Sequence, residues 1–522
     1  AGISSGQDDA ATGGRPGRYG VSEYYTRVSS YVPWIEQTMR RAEHDIVRGD
    51  LSEELDAYMT RLTAQGFSGG LLVAKDGEIV LSKGYGMADR ARGLPFTNET
   101  VFPIGSITKQ FTGAAILKLE MMGQLRVEDL ITKYFDAVPA DKAGITLHHL
   151  LTHSAGFRDA LGYDFAVISR DEYIAQALGS ELRFEPGTAY DYSNVGFSLL
   201  AAIVEQLSGG SYDAFVQEHL FAPAGMTKTG YLLSRWQPDD LAHGYRDDKD
   251  WGTFADHAWA DDGPYWHLRG NGGLLSTLGD MHQWHLALEG DAVLSQAAKS
   301  TYYAPHVREG DGAPSFYGYG WSVMDSRHGR LITHNGGNPY FTSDFLRYVD
   351  ADVVIYMTSN TASHSAGRLS RTIINIVFGE PYEMPPETIE TLSKEDLAET
   401  PVGRLTLALL DVLATTDEDA ARRFIEEYSA PRVLEKYSVE ELLRDFANDQ
   451  QTIGAVDVAR IVKTGEHSLD VTVQSKATGA WWLLGVHAEP EPPHRLIGFG
   501  VMDTVPPAEA ITKEKTATKE KT

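Results

Sequence analysis

One pair of residues in the chain places a hydroxyl and an amine at helical spacing. Ser106 and Lys109 form the only Ser-x-x-Lys of the sequence, in the segment FPIGSITKQ at 102–110. Pro103 and Gly105 precede a run of helical character, which predicts that Ser106 lies at a helix N-terminus. Residues three apart share a helix face, so the lysine amine can reach the serine hydroxyl. A lysine whose pKa is lowered can take the serine proton and generate a nucleophile.

An N-cap serine followed by a solvated lysine would give the same four-residue pattern. A second segment, YDYSN at 190–194, adds the only Tyr-x-Asn of the chain, formed by Tyr192 and Asn194. A tyrosine hydroxyl can relay protons between a serine, a lysine and a leaving group. An asparagine amide can hydrogen-bond a substrate carbonyl. Considered alone, Tyr192 could equally be an aromatic residue that packs in the core.

A third segment, THNGG at 333–337, directly follows a predicted strand. It contains His334, Asn335, Gly336 and Gly337. Glycines at this place let a substrate backbone approach the edge of a sheet closely. Considered alone, His334 could equally be a structural histidine that is hydrogen-bonded at the end of a strand.

In this order, the three segments resemble the signature of the penicillin-binding-protein and serine β-lactamase superfamily: Ser-x-x-Lys, a polar triplet ending in Asn, and Lys-Thr-Gly. The Tyr-x-Asn and His-x-Gly forms are similar to its class C β-lactamase, D-aminopeptidase and esterase branch, peptidase family S12. Accessory segments at 84–86, 149–156, 272–277 and 319–321 match that branch too. The resemblance spans about residues 50–378.

The resemblance implies a role for each residue of the three segments. Ser106 would be the acylated nucleophile, Lys109 its proton partner, and Tyr192 the companion base and leaving-group acid. The backbone N–H groups of Ser106 and Gly337 would form the oxyanion hole. The implied substrate-binding residues are Asn194, His334, Asn335 and Gly336. No metal and no cofactor are implied.

The third segment departs from the superfamily at its first residue. A lysine there is a permanent cation suited to a substrate carboxylate, whereas His334 is mostly neutral near pH 7. Esters, amides and peptides with a free amino end are therefore favoured over carboxylate-bearing substrates. The prediction is a serine hydrolase that cleaves a D-amino-acid-type amide or peptide, or an ester. A carboxylesterase with little peptidase activity and a non-catalytic penicillin-binding-type sensor stay open as alternatives.

Composition excludes several other classes of protein. The 522 residues include 73 acidic and 46 basic ones, giving a net charge of −27 that repels nucleic acid and anionic lipid. No apolar run approaches the roughly 20 residues that span a bilayer. The absence of cysteine excludes disulfides and a thiolate nucleophile. The expected partner is a small-molecule or peptide substrate, with a homo-oligomer left open.

A periplasmic or secreted location is expected for this cysteine-free chain. The first methionine is Met39, and either a removed signal peptide or a shortened terminus accounts for that.

Hydrophobic periodicity predicts how the chain is organised. Helical spacing runs from Ser22 to about Gln65, and β-rich runs flank an Asp76-Gly77 turn signal in a predicted hairpin over 69–85. A long helical and loop insertion precedes strand-like runs at 329–333 and 352–358 and a helix near Ile374. The predicted fold class is α+β, an α/β sandwich whose antiparallel sheet is built from both ends of the domain.

The predicted domain boundaries follow shifts in composition. They are an N-terminal extension (1–50), a β-lactamase-like serine hydrolase domain (51–378), a proline-rich linker (379–392), a small C-terminal α+β domain (393–511) and a disordered tail (512–522). The element order of the small domain resembles the nuclear-transport-factor-like cone fold.

Two features of the insertion have two interpretations each. Acidic residues between Asp247 and Asp262 could attract an amine or simply form a solvated loop. Trp251, Trp259, Tyr265 and Trp266 could wall a substrate cleft or close a minor core.

Three histidines, His148, His149 and His153, have no carboxylate at a metal-ligand spacing, which favours a packing segment over a metal site.

Overall fold

The computed structural model describes residues 2–7, 23–27 and 45–504, except 233–235, 247–248, 311, 363, 365 and 388–389. The chain forms two compact units, one of Ala1–Asp56 and Gly66–Phe378 and the other of Ala57–Gln65 and Gly379–Thr522. Among the described residues, no helix is both long enough and apolar enough to cross a bilayer.

The first unit is built on a nine-stranded antiparallel sheet, called here the central sheet. In sheet order its strands are Val307–Arg308, Phe316–Tyr317, Ser322–Ser326, Gly329–Gly337, Thr342–Tyr348, Val353–Ser359, Gly69–Lys75, Glu78–Tyr85 and Ile46–Val47. Strands from the two ends of the unit meet where Val353–Ser359 pairs with Gly69–Lys75. The prediction of one sheet assembled from both ends is confirmed.

The predicted hairpin is present, with strands Gly69–Lys75 and Glu78–Tyr85. Asp76 and Gly77 join them with φ angles of 53° and 76°. Two consecutive left-handed residues make a tight turn whose twist matches that of paired strands, and Asp-Gly is a favoured sequence for it.

Helices cover the central sheet and enclose the main hydrophobic core. At its centre is Thr108–Met121, called here the serine helix, in which every residue from Thr108 to Leu117 is buried. The other helices of this unit are Asp50–Ala64 (its C-terminal half grouped with the second unit), Leu147–Leu151, Arg170–Gly179, Asn194–Ser208, Tyr212–Val216, Ala222–Ala224, Leu278–Glu289, Gln296–Tyr302 and Ala366–Val377. Since the serine helix is surrounded on all sides, its first turn is rigidly placed.

The N-terminal region differs from the helical pattern predicted over Ser22–Gln65. Among the described residues of that range, Asp50–Ala64 is the only helix, while Glu23–Arg27 is a strand paired with Gly2–Gln7. Ile46–Val47 lies in the predicted extension but pairs with Glu78–Tyr85 at the edge of the central sheet. The predicted helical residues Val32, Ile35 and Met39 lie outside the described residues.

The second unit contains a five-stranded antiparallel sheet with its own hydrophobic core. Its strands are Glu390–Leu392, Val456–Gly465, Ser468–Ser475, Trp481–Ala488 and Leu496–Thr504, and its helices are Pro401–Leu413, Glu418–Tyr428, Pro431–Lys436 and Val439–Ile453. Glu390–Leu392, predicted as linker, pairs with Val456–Gly465 as an edge strand. The cone-fold resemblance stays a prediction, and the predicted disordered tail lies outside the described residues.

Candidate active site

The N-terminal turn of the serine helix places a hydroxyl beside an amine. A 3-10 turn, Gly105–Ile107, leads into the helix and carries Ser106. Lys109 lies in the first helical turn, and its Nζ is 3.1 Å from the Ser106 Oγ. The helical spacing of the two residues therefore produces the contact that the sequence predicts.

Lys109 is a fully buried amine without an adjacent carboxylate among its described contacts. Its Nζ also donates to the Asn194 Oδ1 at 2.7 Å and to the Asn271 carbonyl oxygen at 2.8 Å. Burial lowers the pKa of Lys109 to about 7, although Asp159 and Asp164 act in the opposite direction. Burial disfavours the charged form of an amine. Near neutral pH this lysine can thus accept a proton from Ser106.

Tyr192 completes the group around the serine. Its hydroxyl hydrogen-bonds Ser106, and the Lys109 Nζ lies 4.7 Å from the centre of its ring. Burial raises the pKa of Tyr192 above its ordinary value, and the bond to Ser106 opposes this only in part. The phenol consequently keeps its proton at neutral pH and is suited to donate it to a leaving group.

Two glycines let the Gly329–Gly337 strand, called here the glycine-rich strand, pass directly over Ser106. Gly105 has a φ of 55°, and a Cβ on it would overlap the Gly337 nitrogen. A Cβ on Gly336 would overlap the Ile104 oxygen and lie 2.7 Å from the Ser106 nitrogen. The backbone nitrogens of Ser106 and Gly337 therefore lie in the same small region, as an oxyanion hole requires.

The glycine-rich strand has a partly open edge. On one side it pairs with Ser322–Ser326, but that pairing ends at Ser322 opposite Thr333. On the other side its pairing continues to Gly337 opposite Thr342. Residues 334–337 are thus free of a described strand on one edge, and an extended substrate backbone can lie there.

His334, in the third segment, uses both ring nitrogens inside the protein. Its Nδ1 donates to the Asn335 carbonyl oxygen at 2.5 Å, and its Nε2 accepts from the Tyr317 hydroxyl at 2.8 Å. Burial first, and then the Lys109 charge, lower the pKa of His334 to about 3. The side chain is hence neutral and presents no cation to a substrate.

The remaining predicted substrate contacts divide into two kinds. The Asn335 side chain is exposed beside the open edge. The Asn194 amide is held between two protein groups, because its Nδ2 donates to the Asp159 Oδ1 at 2.9 Å while its Oδ1 accepts from Lys109. Asn194 thereby orients the Lys109 amine.

A cavity of about 400 Å³ adjoins this group and contains two carboxylates and no Lys or Arg in its lining. The lining residues are Tyr192, Glu309, Tyr317, Ser322, Met324, Thr333, His334, Asn335, Asp344 and Leu346. Asp344 is buried, and burial raises its pKa to about 6 in spite of a hydrogen bond with Ser370. Glu309 accepts from the Ser322 hydroxyl at 2.5 Å. The lining of the cavity therefore contains two acidic side chains and no basic Lys or Arg.

The insertion residues have mostly structural partners. Trp251 stacks on His257 and Tyr340, with ring centres 3.9 and 5.0 Å apart. Asp250 contacts His243, and Asp262 is paired with the buried Arg269. Asp247 and Asp248 lie outside the described residues.

Sequence reasoning missed three groups of the site. The Asn271 carbonyl contacts Lys109 and directly precedes the accessory segment at 272–277, which was an available signal. Tyr317 and Asp344 had no signal, since only the sheet brings them to the site. In the part of the chain that the structure describes, no three His, Asp or Glu side chains could hold a metal ion.

The order of the central sheet, together with a serine at the start of the buried helix, defines the β-lactamase and transpeptidase class of folds. The chain belongs to the beta-lactamase family, which it matches over residues 54–377.

Individual relatives differ in their named activities. The chain is 31% identical over 346 residues to penicillin-binding protein 4* of Bacillus subtilis (strain 168), covering 63% of this chain and 76% of that protein. It is 29% identical over 292 residues to a D-aminopeptidase of Brucella anthropi, covering 54% of each. The crystal structure of a penicillin-binding protein from Bacillus halodurans matches with a TM-score of 0.52 at 26% identity, covering 61% of this chain and 98% of that one. These relatives support a family of serine hydrolases and acyl-transferring proteins.

Proposed function

We propose that this protein is a serine hydrolase that forms an acyl-enzyme on Ser106 and cleaves amides or esters of D-amino-acid type bearing a free amino group. One observation carries the proposal: the buried Lys109 amine, with a pKa of about 7, lies 3.1 Å from the Ser106 hydroxyl. A serine becomes a useful nucleophile only when a nearby base accepts its proton.

Each step of the reaction uses a described group. The Ser106 Oγ attacks the substrate carbonyl carbon and gives its proton to Lys109, while the Ser106 and Gly337 N–H groups stabilise the oxyanion. Tyr192 donates its hydroxyl proton to the leaving nitrogen or oxygen and is reprotonated from Lys109, so one proton leaves with the product and Lys109 is neutral again. Water then attacks the acyl carbon, loses a proton to the same pair, and Ser106 recovers its hydroxyl hydrogen.

The electrostatics beside the nucleophile support an amine-bearing substrate. His334 is neutral, so the third segment supplies no cation for a substrate carboxylate. The adjoining cavity carries Glu309 and Asp344 instead. A partly desolvated cavity with two acidic side chains and no Lys or Arg favours an ammonium group over a carboxylate. The D-aminopeptidase among the relatives is named for a substrate class of this kind.

The proposal is tested by labelling and turnover. Wild-type protein should be labelled once per chain by a fluorophosphonate, and Ser106→Ala should lose both labelling and turnover while its melting temperature stays near that of wild type. Lys142→Ala, which removes an amine paired with Asp141, is the matched control and should be labelled normally. Full turnover by Ser106→Ala would reject the proposal.

A substrate panel then separates the candidate activities. D-alanine p-nitroanilide, its N-acetyl derivative and p-nitrophenyl acetate should be cleaved in that order of kcat/KM relative to their solvolysis rates. Turnover of the acetate ester alone would identify a carboxylesterase. A single burst without turnover on every substrate would identify an acylated sensor.

A further inference from the structure

His153 lies outside the three signature segments, in the accessory segment at 149–156, yet it contacts one of the three closely. It follows the helix Leu147–Leu151 and is almost completely buried, with 2% of its surface exposed. Its φ of 57° lies in the left-handed region, which few residues other than glycine adopt. Surrounding structure must hold such a conformation in place, and strain of this kind concentrates at functional sites.

Two hydrogen bonds join His153 to the backbone on either side of Tyr192. The Asp191 N–H donates to the His153 carbonyl oxygen at 3.0 Å. The Ser193 N–H donates to the His153 Nδ1, also at 3.0 Å. The imidazole ring lies against the Tyr192 ring, with centres 4.3 Å apart. His153 therefore contacts both the ring of Tyr192 and the backbone on either side of it.

The contact with Ser193 determines the protonation of the imidazole. Because the Nδ1 accepts a backbone N–H, the ring proton of the neutral form must lie on Nε2. Burial lowers the pKa of His153 well below its ordinary value, and the nearby Lys109 acts in the same direction. The Nε2 is buried without a hydrogen-bond partner among the described residues. Leaving a buried donor unpaired is costly, so packing alone does not account for a histidine here.

We propose that His153 is a positioning residue that holds the Tyr192 hydroxyl on Ser106 by accepting the Ser193 N–H. This inference rests on the proposed acyl-transfer function, but it concerns a residue that touches neither Ser106 nor substrate. A displacement of the tyrosine hydroxyl by about 1 Å is expected to slow acylation by roughly 10²-fold.

The experiment measures the rate of fluorophosphonate labelling and kcat for p-nitrophenyl acetate in matched variants. His153→Phe keeps a ring but loses the acceptor and should lower both rates by about 10- to 100-fold. His153→Asn keeps an acceptor and tolerates positive φ, so it should restore most of the loss. His148→Phe removes a neighbouring histidine that binds the Tyr319 hydroxyl instead, and it should retain wild-type rates.

A double-mutant cycle with Tyr192→Phe decides whether His153 acts through the tyrosine. In the Tyr192→Phe background, His153→Phe should change the rates by less than about twofold, because the positioned hydroxyl is already absent. Equal losses in both backgrounds, or wild-type rates in His153→Phe, would overturn the inference. If His153→Phe does not fold, His153→Met takes its place. Failure of wild-type protein to label at Ser106 would instead reject the proposed function.

Discussion

Lys109 is the residue on which proton transfer in the proposed reaction depends. Its amine is removed from water and, within the described part of the chain, contacts neutral oxygens and aromatic rings. Burying a charged lysine without pairing it with a carboxylate costs free energy. That cost disfavours the charged form and therefore lowers the pKa of the amine. The same burial reduces stability as pH falls from about 10 to about 7, between the unfolded and folded pKa values, and supplies a neutral base near pH 7.

Acylation by a neutral ester should therefore rise with pH and level off, with a midpoint near pH 7. Below the midpoint Lys109 is protonated and cannot accept the Ser106 proton. The pKa values of His153 and His334 lie far lower, so neither explains a midpoint there. Stopped-flow measurement of acylation by p-nitrophenyl acetate from pH 5 to 9 tests this. Asp344→Asn is the control, and disappearance of the transition in that variant would assign it to Asp344.

The serine helix and the glycine-rich strand form the site by close approach of their backbones. Gly105 begins the 3-10 turn that leads into the helix, and Gly123 follows the end of the helix, with φ angles of 55° and 72°. A Cβ on Gly105 would meet the Gly337 backbone, whereas one on Gly123 has open space around it. The two glycines thus share a conformation and differ in what surrounds them.

Gly105→Ala should lower the labelling rate by at least about 10²-fold, because the strand must shift and move the Gly337 N–H. Gly123→Ala pays only the left-handed backbone penalty of about 1 kcal/mol and should label at the wild-type rate. Labelling kinetics combined with urea unfolding compares the two. Equal rates in both variants would show that the oxyanion hole does not depend on this approach.

Many of the helices and strands are predictable from the sequence, and those that are not have physical reasons. The serine helix and the Asp76–Gly77 hairpin carry strong local signals, and both were predicted. Ile46–Val47 has only two residues, too few for any periodicity. The contact between His153 and Ser193 joins positions 40 residues apart, so no local pattern indicates it. Local sequence patterns therefore point to the groups that meet around Ser106 but not to the long-range contact with His153.

The molecule as a whole carries a net charge of −27, which acts on substrates before they reach the site. Such a field attracts cations over distances comparable with the Debye length, about 10 Å at 0.1 M salt. This long-range attraction acts on the association step, in addition to the short-range effect of the acidic side chains in the cavity.

Raising NaCl from about 10 mM to about 300 mM should lower kcat/KM for D-alanine p-nitroanilide several-fold at pH 6, where its amine is protonated, because salt screens the attraction. The value for p-nitrophenyl acetate, which is uncharged, should stay nearly constant. Steady-state kinetics on both substrates in the same buffers makes the comparison. Parallel changes for the two would mean that salt acts on the protein itself.

The vacant edge at residues 334–337 bears on how the protein would tell mirror images apart. A peptide aligned there as one more strand points alternate side chains to opposite sides of the sheet. Inverting one α-carbon exchanges the positions of its side chain and its hydrogen, so one enantiomer directs its bulk toward the serine helix and the other away from it. The backbone around the site would then determine which enantiomer is accepted. Enlarging the cavity would broaden the range of accepted side chains without relaxing stereoselectivity.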